Sequence, residues 1–113
     1  MKELDRERAL ARVGGDATLL AELAGLFLEE YPRLFEELSQ GVAHNDGGRV
    51  TASAHQLKGL FGQFGAESAR LVALNIEMAS RAGQQDALPG LIDEMKQSLS
   101  RMEPELREMA LFT

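Results

Sequence analysis

Apolar residues recur at steps of three and four along most of this sequence, and this period restricts the fold more than any other feature. A long apolar stripe on a helix is stable only when other elements cover it. The last such stretch continues over about six helical turns, through Leu88, Ile92, Met95, Leu99, Met102, Leu106 and Met109. Pro104 is expected to bend or break this stretch and to leave the final residues as a loosely attached turn.

Three earlier stretches have the same period. Because the apolar phase of the first continues past Pro32, we expect one bent helix there, capped at its start by Asp16. Its apolar positions are Leu19, Leu20, Leu23, Leu26, Phe27, Leu34, Leu38 and Val42. The second stretch, from about Arg49 to Phe64, has Val50, Ala54, Leu57, Phe61 and Phe64 on one side. The third has Ala69, Leu71, Val72, Ile76, Met78 and Ala79 as its predicted buried side.

Short connections rich in Gly, Asn and Asp separate these stretches, at 14–15, 44–48 and 83–86. Long amphipathic helices joined by short loops pack as antiparallel neighbours. The sequence therefore predicts an all-α fold, an antiparallel up-down-up-down four-helix bundle with a short extra N-terminal helix over residues 1–13. With 113 residues, one domain spanning 1–113 is expected.

Composition narrows the functional classes. The net charge of −6 and the scattered basic residues weigh against nucleic-acid binding. The absence of Cys excludes disulfides and thiolate metal sites. No apolar run approaches the roughly 18 residues of a membrane span and no signal peptide opens the chain, so a cytoplasmic location without membrane insertion is expected. We also expect a monomer, because every long stripe has partners within one bundle.

His55 is the residue that most invites a functional interpretation. It lies about 140° round its helix from the apolar stripe, at roughly 100° per residue, and shares that exposed face with Lys58, Gly59 and Gly62. Each helix-interior Gly costs about 1 kcal/mol relative to Ala, so a flat face here needs a reason. A phosphoryl group on the ring would provide one: Lys58 could pair with it, and the glycines would let another protein approach.

These residues resemble the signature of histidine-containing phosphotransfer (HPt) domains of two-component relays. The signature is His55, Leu57, Lys58 and Gly59, followed by Gly65-Ala66. The likeness extends over nearly the whole chain, with matching segments at Arg12 to Asp16, Phe27 to Glu30 ahead of Pro32, and Glu77 to Gly83. Two positions depart from the family pattern: Leu60 stands where a small residue is common, and Ala69 where a larger apolar residue is usual. Leu71 is expected to compensate for the small Ala69.

The resemblance implies a phosphocarrier rather than an enzyme. The ring of His55 would take a phosphoryl group from the aspartyl phosphate of a receiver domain, or from a hybrid sensor histidine kinase relay, and pass it to a response regulator. No metal or other cofactor is expected on this chain, and Mg²⁺ is expected on the partner receiver. The implied roles are phosphoacceptor for His55, phosphate electrostatics for Lys58, helix termination for Gly65, and partner docking for Thr51, Ala52, Gly59 and Gly62. The docking surface is expected to include the neighbouring side of the Ala17 to Val42 helix.

Two other classes stay open. The same face could sequester a regulator without any phosphate, as a helical binding module. A metal-dependent bundle enzyme is disfavoured, because Glu-x-x-His pairs that project into a bundle core are absent. His44 lies among turn-forming residues and is interpreted as an ordinary surface histidine.

Overall fold

The computed structural model describes residues 3–111, and its regular structure is helical. Five α-helices follow one another, with a short 3-10 turn over Gln85–Ala87 before the last: α1 (Arg6–Arg12), α2 (Ala17–Ala43), α3 (Gly47–Gln63), α4 (Glu67–Arg81) and α5 (Leu88–Ala110). The predicted all-α class is confirmed. None of the helices in this described part is long and apolar enough to cross a membrane.

Aspartates begin three of the helices. The Asp16 carboxylate accepts from the Leu19 amide at 3.0 Å, which confirms the predicted cap of α2. Asp46 caps α3 in the same way, and Asp5 caps α1. Because a capping carboxylate satisfies an amide that has no partner within the helix, α3 starts at Gly47 rather than at the expected Arg49.

The N-terminal segment differs from its prediction. The helix begins only at Arg6, and Met1 and Lys2 lie outside the described residues. The amide of Glu3 donates to the Glu105 carboxylate of α5 at 3.0 Å, and Leu4 is buried. The amides of Glu3 and Leu4 thus bond to α5 and that of Asp5 to the Phe64 carbonyl, so the backbone amides before α1 find partners without forming a helical turn.

The four long helices form the bundle. Each packs against the next along the chain, and α5 packs back on α2, so the core lies between them. Phe27 of α2 meets Phe61 and Phe64 at ring-centroid distances of 6.0 and 5.4 Å. Fully burying one such side chain stabilises the fold by about 2–3 kcal/mol. This aromatic cluster fixes α2 against the carboxyl end of α3.

Four of the predicted core residues are exposed instead: Leu19, Leu26, Leu71 and Met78. The helical phase gives the reason. Met78 follows the buried Ile76 by two residues, which is about 200° round α4, and Leu26 precedes the buried Phe27 by one, about 100° round α2. Leu71 therefore does not fill space left by the small Ala69.

The expectation that the last helix breaks at Pro104 and leaves a loosely attached turn was also wrong, while a bend there stays a prediction. The helix α5 runs through Pro104 to Ala110, and Leu106 and Met109 beyond it are buried. A helix-interior proline costs about 3 kcal/mol, and two buried side chains of this size together offset that cost. The helix α2 likewise continues through Pro32 as predicted, while the bend there remains a prediction.

Candidate functional site

His55 lies on the side of α3 that borders α4. One turn before it, the Thr51 hydroxyl donates to the Ser80 hydroxyl of α4 at 3.3 Å. Two turns after it, a methyl group added at Gly62 would come within 3.6 Å of the Arg70 side chain. The His55 side chain is itself 66% exposed. The ring therefore stands above the junction of α3 and α4, open to solvent.

A buried carboxylate lies directly beneath the ring. Glu77 of α4 is 2% exposed, and its Oε2 is 3.5 Å from His55 Nδ1 and 3.0 Å from the guanidinium of Arg81. Its other oxygen, Oε1, is 2.8 Å from the Lys58 ammonium. Three side chains that can carry positive charge thus converge on one acidic group, and they come from both helices.

The charge on Glu77 is stabilised despite its burial. The contact with Lys58 lowers the pKa of the Glu77 carboxyl below its ordinary value of 4.5, and the charges of Lys58, Arg81 and His55 act in the same direction against the opposing effect of burial. Glu77 is therefore ionised at neutral pH. Two permanent cations face one permanent anion, so positive charge is in excess beside the ring.

The carboxylate also orients the imidazole. Since Glu77 approaches Nδ1, the neutral tautomer that it favours carries its proton on Nδ1 and leaves the lone pair on Nε2. The separation of 3.5 Å is longer than an ordinary hydrogen bond, so the contact is a close electrostatic one. Chemically, this arrangement offers a nucleophilic ring nitrogen on the side of the ring away from the carboxylate.

Shallow depressions flank the ring on both sides. Thr51 and Ala52 line one of them together with Gly47, Gly48, Gln56, Ser80 and Arg81. Gly59 and Gly62 line the other, together with Arg12, Lys58, Gln63 and Arg70. The structure thus brings the four residues predicted for docking next to His55. Residues of α4 line both depressions, and Arg12 of α1 lines the second. The sequence analysis had instead predicted that α2 contributes to the surface beside His55.

Packing within this chain does not explain why residue 59 is a glycine. A methyl group added there would meet no other atom within 4 Å, so packing does not require the glycine. Gly65 is different: it has a φ of +65°, and an added methyl group would come within 2.6 Å of the Asp5 side chain. The Asp5 amide also donates to the Phe64 carbonyl at 3.1 Å. Both the left-handed backbone and this close approach favour glycine at 65.

Sequence reasoning missed Glu77 and Arg81 as site residues. The apolar pattern gave no signal for Glu77, because this residue lies about 100–160° round α4 from Val72, Ile76 and Ala79 of the predicted buried side. The ring of His44, in contrast, lies 2.8 Å from the Gln40 carbonyl at the end of α2, which fits its interpretation as an ordinary surface residue. Within residues 3–111 no three His, Asp or Glu side chains gather as metal ligands.

Comparison with known proteins agrees with the fold and the motif. The Hpt domain family matches residues 22–105. The crystal structure of the HPT domain from the Hpt sensor hybrid histidine kinase of Shewanella superposes with a TM-score of 0.84 at 19% identity, covering 98% of this chain and 96% of that one. No curated protein matches the sequence.

This chain therefore belongs to the Hpt domain family, and its role lies in the phosphotransfer of two-component signalling. Members of the family are phosphocarriers. The helical-bundle fold predicted from the apolar period is the fold of the Shewanella domain.

Proposed function

We propose that this domain carries a phosphoryl group on His55, which it accepts from the aspartyl phosphate of a receiver domain and returns to the receiver of a response regulator. The observation that carries the proposal is the buried Glu77 carboxylate at His55 Nδ1. A carboxylate in that position keeps the proton on Nδ1 and the lone pair on Nε2, which is the state that a nucleophilic imidazole needs.

In the transfer step, the Nε2 lone pair attacks phosphorus and the Nε2–P bond forms. The bond between phosphorus and the aspartyl oxygen breaks, and its electron pair leaves with the partner's carboxylate. No proton has to move, because the ring keeps its proton on Nδ1 and becomes a cation. Glu77 offsets that new positive charge, and it does so without rearrangement because it is already ionised and in place. The reverse step delivers the group to the next receiver.

Lys58 and Arg81 support the phosphorylated state. Both cations are bound to Glu77 in this structure, Lys58 from a position one helical turn after His55 on α3 and Arg81 from a position one turn after Glu77 on α4. A phosphoryl group on Nε2 would bring negative charge into a site that has an excess of positive charge. A guanidinium as exposed as that of Arg81, at 63%, can turn toward the phosphate with little packing to lose.

The metal ion and the nucleotide that the relay uses are assigned in this proposal to the partner proteins. We propose that Mg²⁺ is held by the receiver, that the domain binds no nucleotide or metal of its own, and that it acts as a monomer in the cytoplasm. The receivers and the upstream kinase relay are then its partners.

The test is label transfer from receiver domains charged with labelled phosphate. Wild type should acquire a label that is stable in base and lost in acid, as a phosphoramidate bond is, and His55→Gln should acquire none. His44→Gln is the matched control and should be labelled like wild type. Full labelling of the His55→Gln variant would contradict the assignment. Tight receiver binding without any label in wild type would favour the phosphate-independent binding module.

A further inference from the structure

The short helix α1 brings a further cation to the surroundings of His55. Arg12, in the last turn of α1, lines the depression on the Gly59 side of the ring. Lys58 of α3 and Arg70 of α4 line it as well, and no described lining residue is acidic. The Hpt family match begins at residue 22, and the resemblance to HPt domains assigns no role to Arg12. Any role of this residue must therefore follow from its place in the structure.

Arg12 differs from the other cations beside the ring in having no anionic partner. Two of those cations bind the Glu77 carboxylate, and Arg70 binds Glu67 at 2.7 Å. Across residues 3–111, the Arg12 guanidinium makes neither an ion pair nor a hydrogen bond, and the residue is exposed. Its positive charge is therefore available to a new anion without the loss of an existing contact.

Contacts along its length hold α1 in this place. The Asp5 amide, just before the helix, donates to the Phe64 carbonyl at the C-cap of α3 at 3.1 Å. Ala9 in the middle of α1 is buried in the core. Beyond the end of the helix, the Gly15 amide donates back to the Leu10 carbonyl at 2.9 Å. Because its start and its buried side are fixed, the last turn of α1 has a defined position, while an exposed side chain on it can turn.

A glycine keeps the depression that Arg12 and His55 share open. Gly59 follows His55 by four residues, about one helical turn, and lines the same depression. A methyl group added at Gly59 would meet no other atom within 4 Å. A phosphoryl group on the ring and the Arg12 guanidinium can therefore approach each other over Gly59 without displacing another side chain.

We infer that Arg12 binds the phosphoryl group on His55 from the Gly59 side, and that α1 holds this guanidinium beside the site. This inference rests on the proposed function. A guanidinium can donate two parallel hydrogen bonds to phosphate oxygens, and it keeps its charge at any physiological pH. The two cations on Glu77 share their charges with that carboxylate. Arg12 adds a charge that is paired with no carboxylate in the described chain.

This contact exists only when the ring is phosphorylated, so it stabilises one side of the transfer equilibrium. A contact between Arg12 and the receiver would act differently: it would speed forward and reverse transfer alike and leave the equilibrium constant unchanged. An ordinary structural role is a third possibility, since a cation in the last turn of a helix stabilises that helix. Loss of that role would lower the free energy of unfolding and would also leave the equilibrium constant of transfer unchanged.

The test is the equilibrium constant of transfer between a phosphorylated receiver and this domain, obtained from forward and reverse single-turnover rates. Arg12→Ala should shift it about threefold toward the receiver, as loss of one partly solvated ion pair does. Arg12→Lys should recover part of the shift, because it keeps the charge without the paired donors. Arg6→Ala is the matched control, since Arg6 begins the same helix, is exposed, and lines neither depression beside the ring. It should leave the constant unchanged, and circular dichroism should show that all the variants are folded.

An unchanged equilibrium constant in Arg12→Ala overturns the inference and leaves the phosphocarrier role intact. If forward and reverse transfer slow by the same factor, Arg12 contacts the receiver rather than the phosphoryl group, and the inference is wrong. An equal shift in Arg6→Ala would mean that the net charge acts and not this site, which also contradicts the inference. Failure of wild type to accept phosphate at His55 from any receiver contradicts the proposed function itself, and this inference fails with it.

Discussion

Two carboxylates join helices on different sides of this bundle, and their surroundings differ in one respect. Glu103 of α5 accepts from the Tyr31 hydroxyl of α2 at 2.7 Å and binds Arg107 at 2.7 Å. Glu77 of α4 binds Lys58 and Arg81 and approaches His55. The pKa of each carboxyl is lowered, that of Glu103 by the Tyr31 hydrogen bond and by Arg107, and that of Glu77 by Lys58 above all.

The difference lies in what each carboxylate leaves available. At Glu103 one anion meets one cation and one hydroxyl, and the group acts as a brace between α2 and α5. At Glu77 one anion meets two cations, and the third neighbour is a ring whose second nitrogen is open to solvent. Similar interactions thus give a balanced contact at Glu103 and, at Glu77, a site with excess positive charge that can accept an anionic group.

The largest expected difference is in the rate of receiver transfer, between loss of the Glu77 carboxylate and loss of the Glu103 carboxylate. Glu77→Ala should slow receiver transfer about thirtyfold, equivalent to about 2 kcal/mol, because the ring loses the anion that holds its tautomer and offsets its developing charge. Glu103→Ala should leave transfer unchanged. Glu77→Gln should recover part of the rate, since the amide oxygen can still accept from Nδ1–H. Single-turnover rates measured on folded protein would decide this, and equal rates for the two Ala variants would remove the distinction between the sites.

Loss of the cations that bind these two carboxylates should give a smaller difference in the rate of transfer. Lys58→Ala and Arg81→Ala should each slow transfer about fivefold, near 1 kcal/mol, because each is a single, partly solvated charge. Arg107→Ala removes the corresponding cation from Glu103 and should not affect the rate. The lifetime of the phosphohistidine at neutral pH, followed by ³¹P NMR, should shorten only in the first two variants. A shortened lifetime in Arg107→Ala would speak against a local role of charge.

The smallest effect should be on stability, at the brace. Tyr31→Phe removes one hydrogen bond and should lower the free energy of unfolding by about 0.5–1 kcal/mol near neutral pH, without changing transfer. Burial and the hydrogen bond to Glu103 raise the pKa of Tyr31 from 10.0 to about 12. The raised pKa means that the folded state favours the neutral phenol. Its stabilising contribution is therefore complete below pH 10 and lost as the pH rises through 12.

Urea unfolding of wild type and Tyr31→Phe near pH 8 and near pH 11 would test this sign. The advantage of wild type should shrink at the higher pH. A constant difference across that range would mean that the phenol is not held neutral by its contacts.

The helices and much of their core could be predicted because an amphipathic period is a local property of the sequence. The stripe from Leu88 to Met109 identified α5, and Asp16 identified the start of α2. Local reasoning failed where packing decided the outcome, as at Pro104, where buried Leu106 and Met109 keep the helix continuous. It also failed for Leu71 and Met78, which share the composition of the core but lie on the outer face of α4.

For the site, the sequence by itself determined that His55 is exposed and that Lys58, Gly59 and Gly62 share its face, since these residues belong to one helix and their directions follow from its period. Only the tertiary structure decided that Glu77 lies under the ring, that Arg81 joins it, and that α4 rather than α2 borders the histidine. These relations depend on the rotation of α4 about its own axis and on its distance from α3. Both are set by the packing of side chains between helices, which no single helical segment contains.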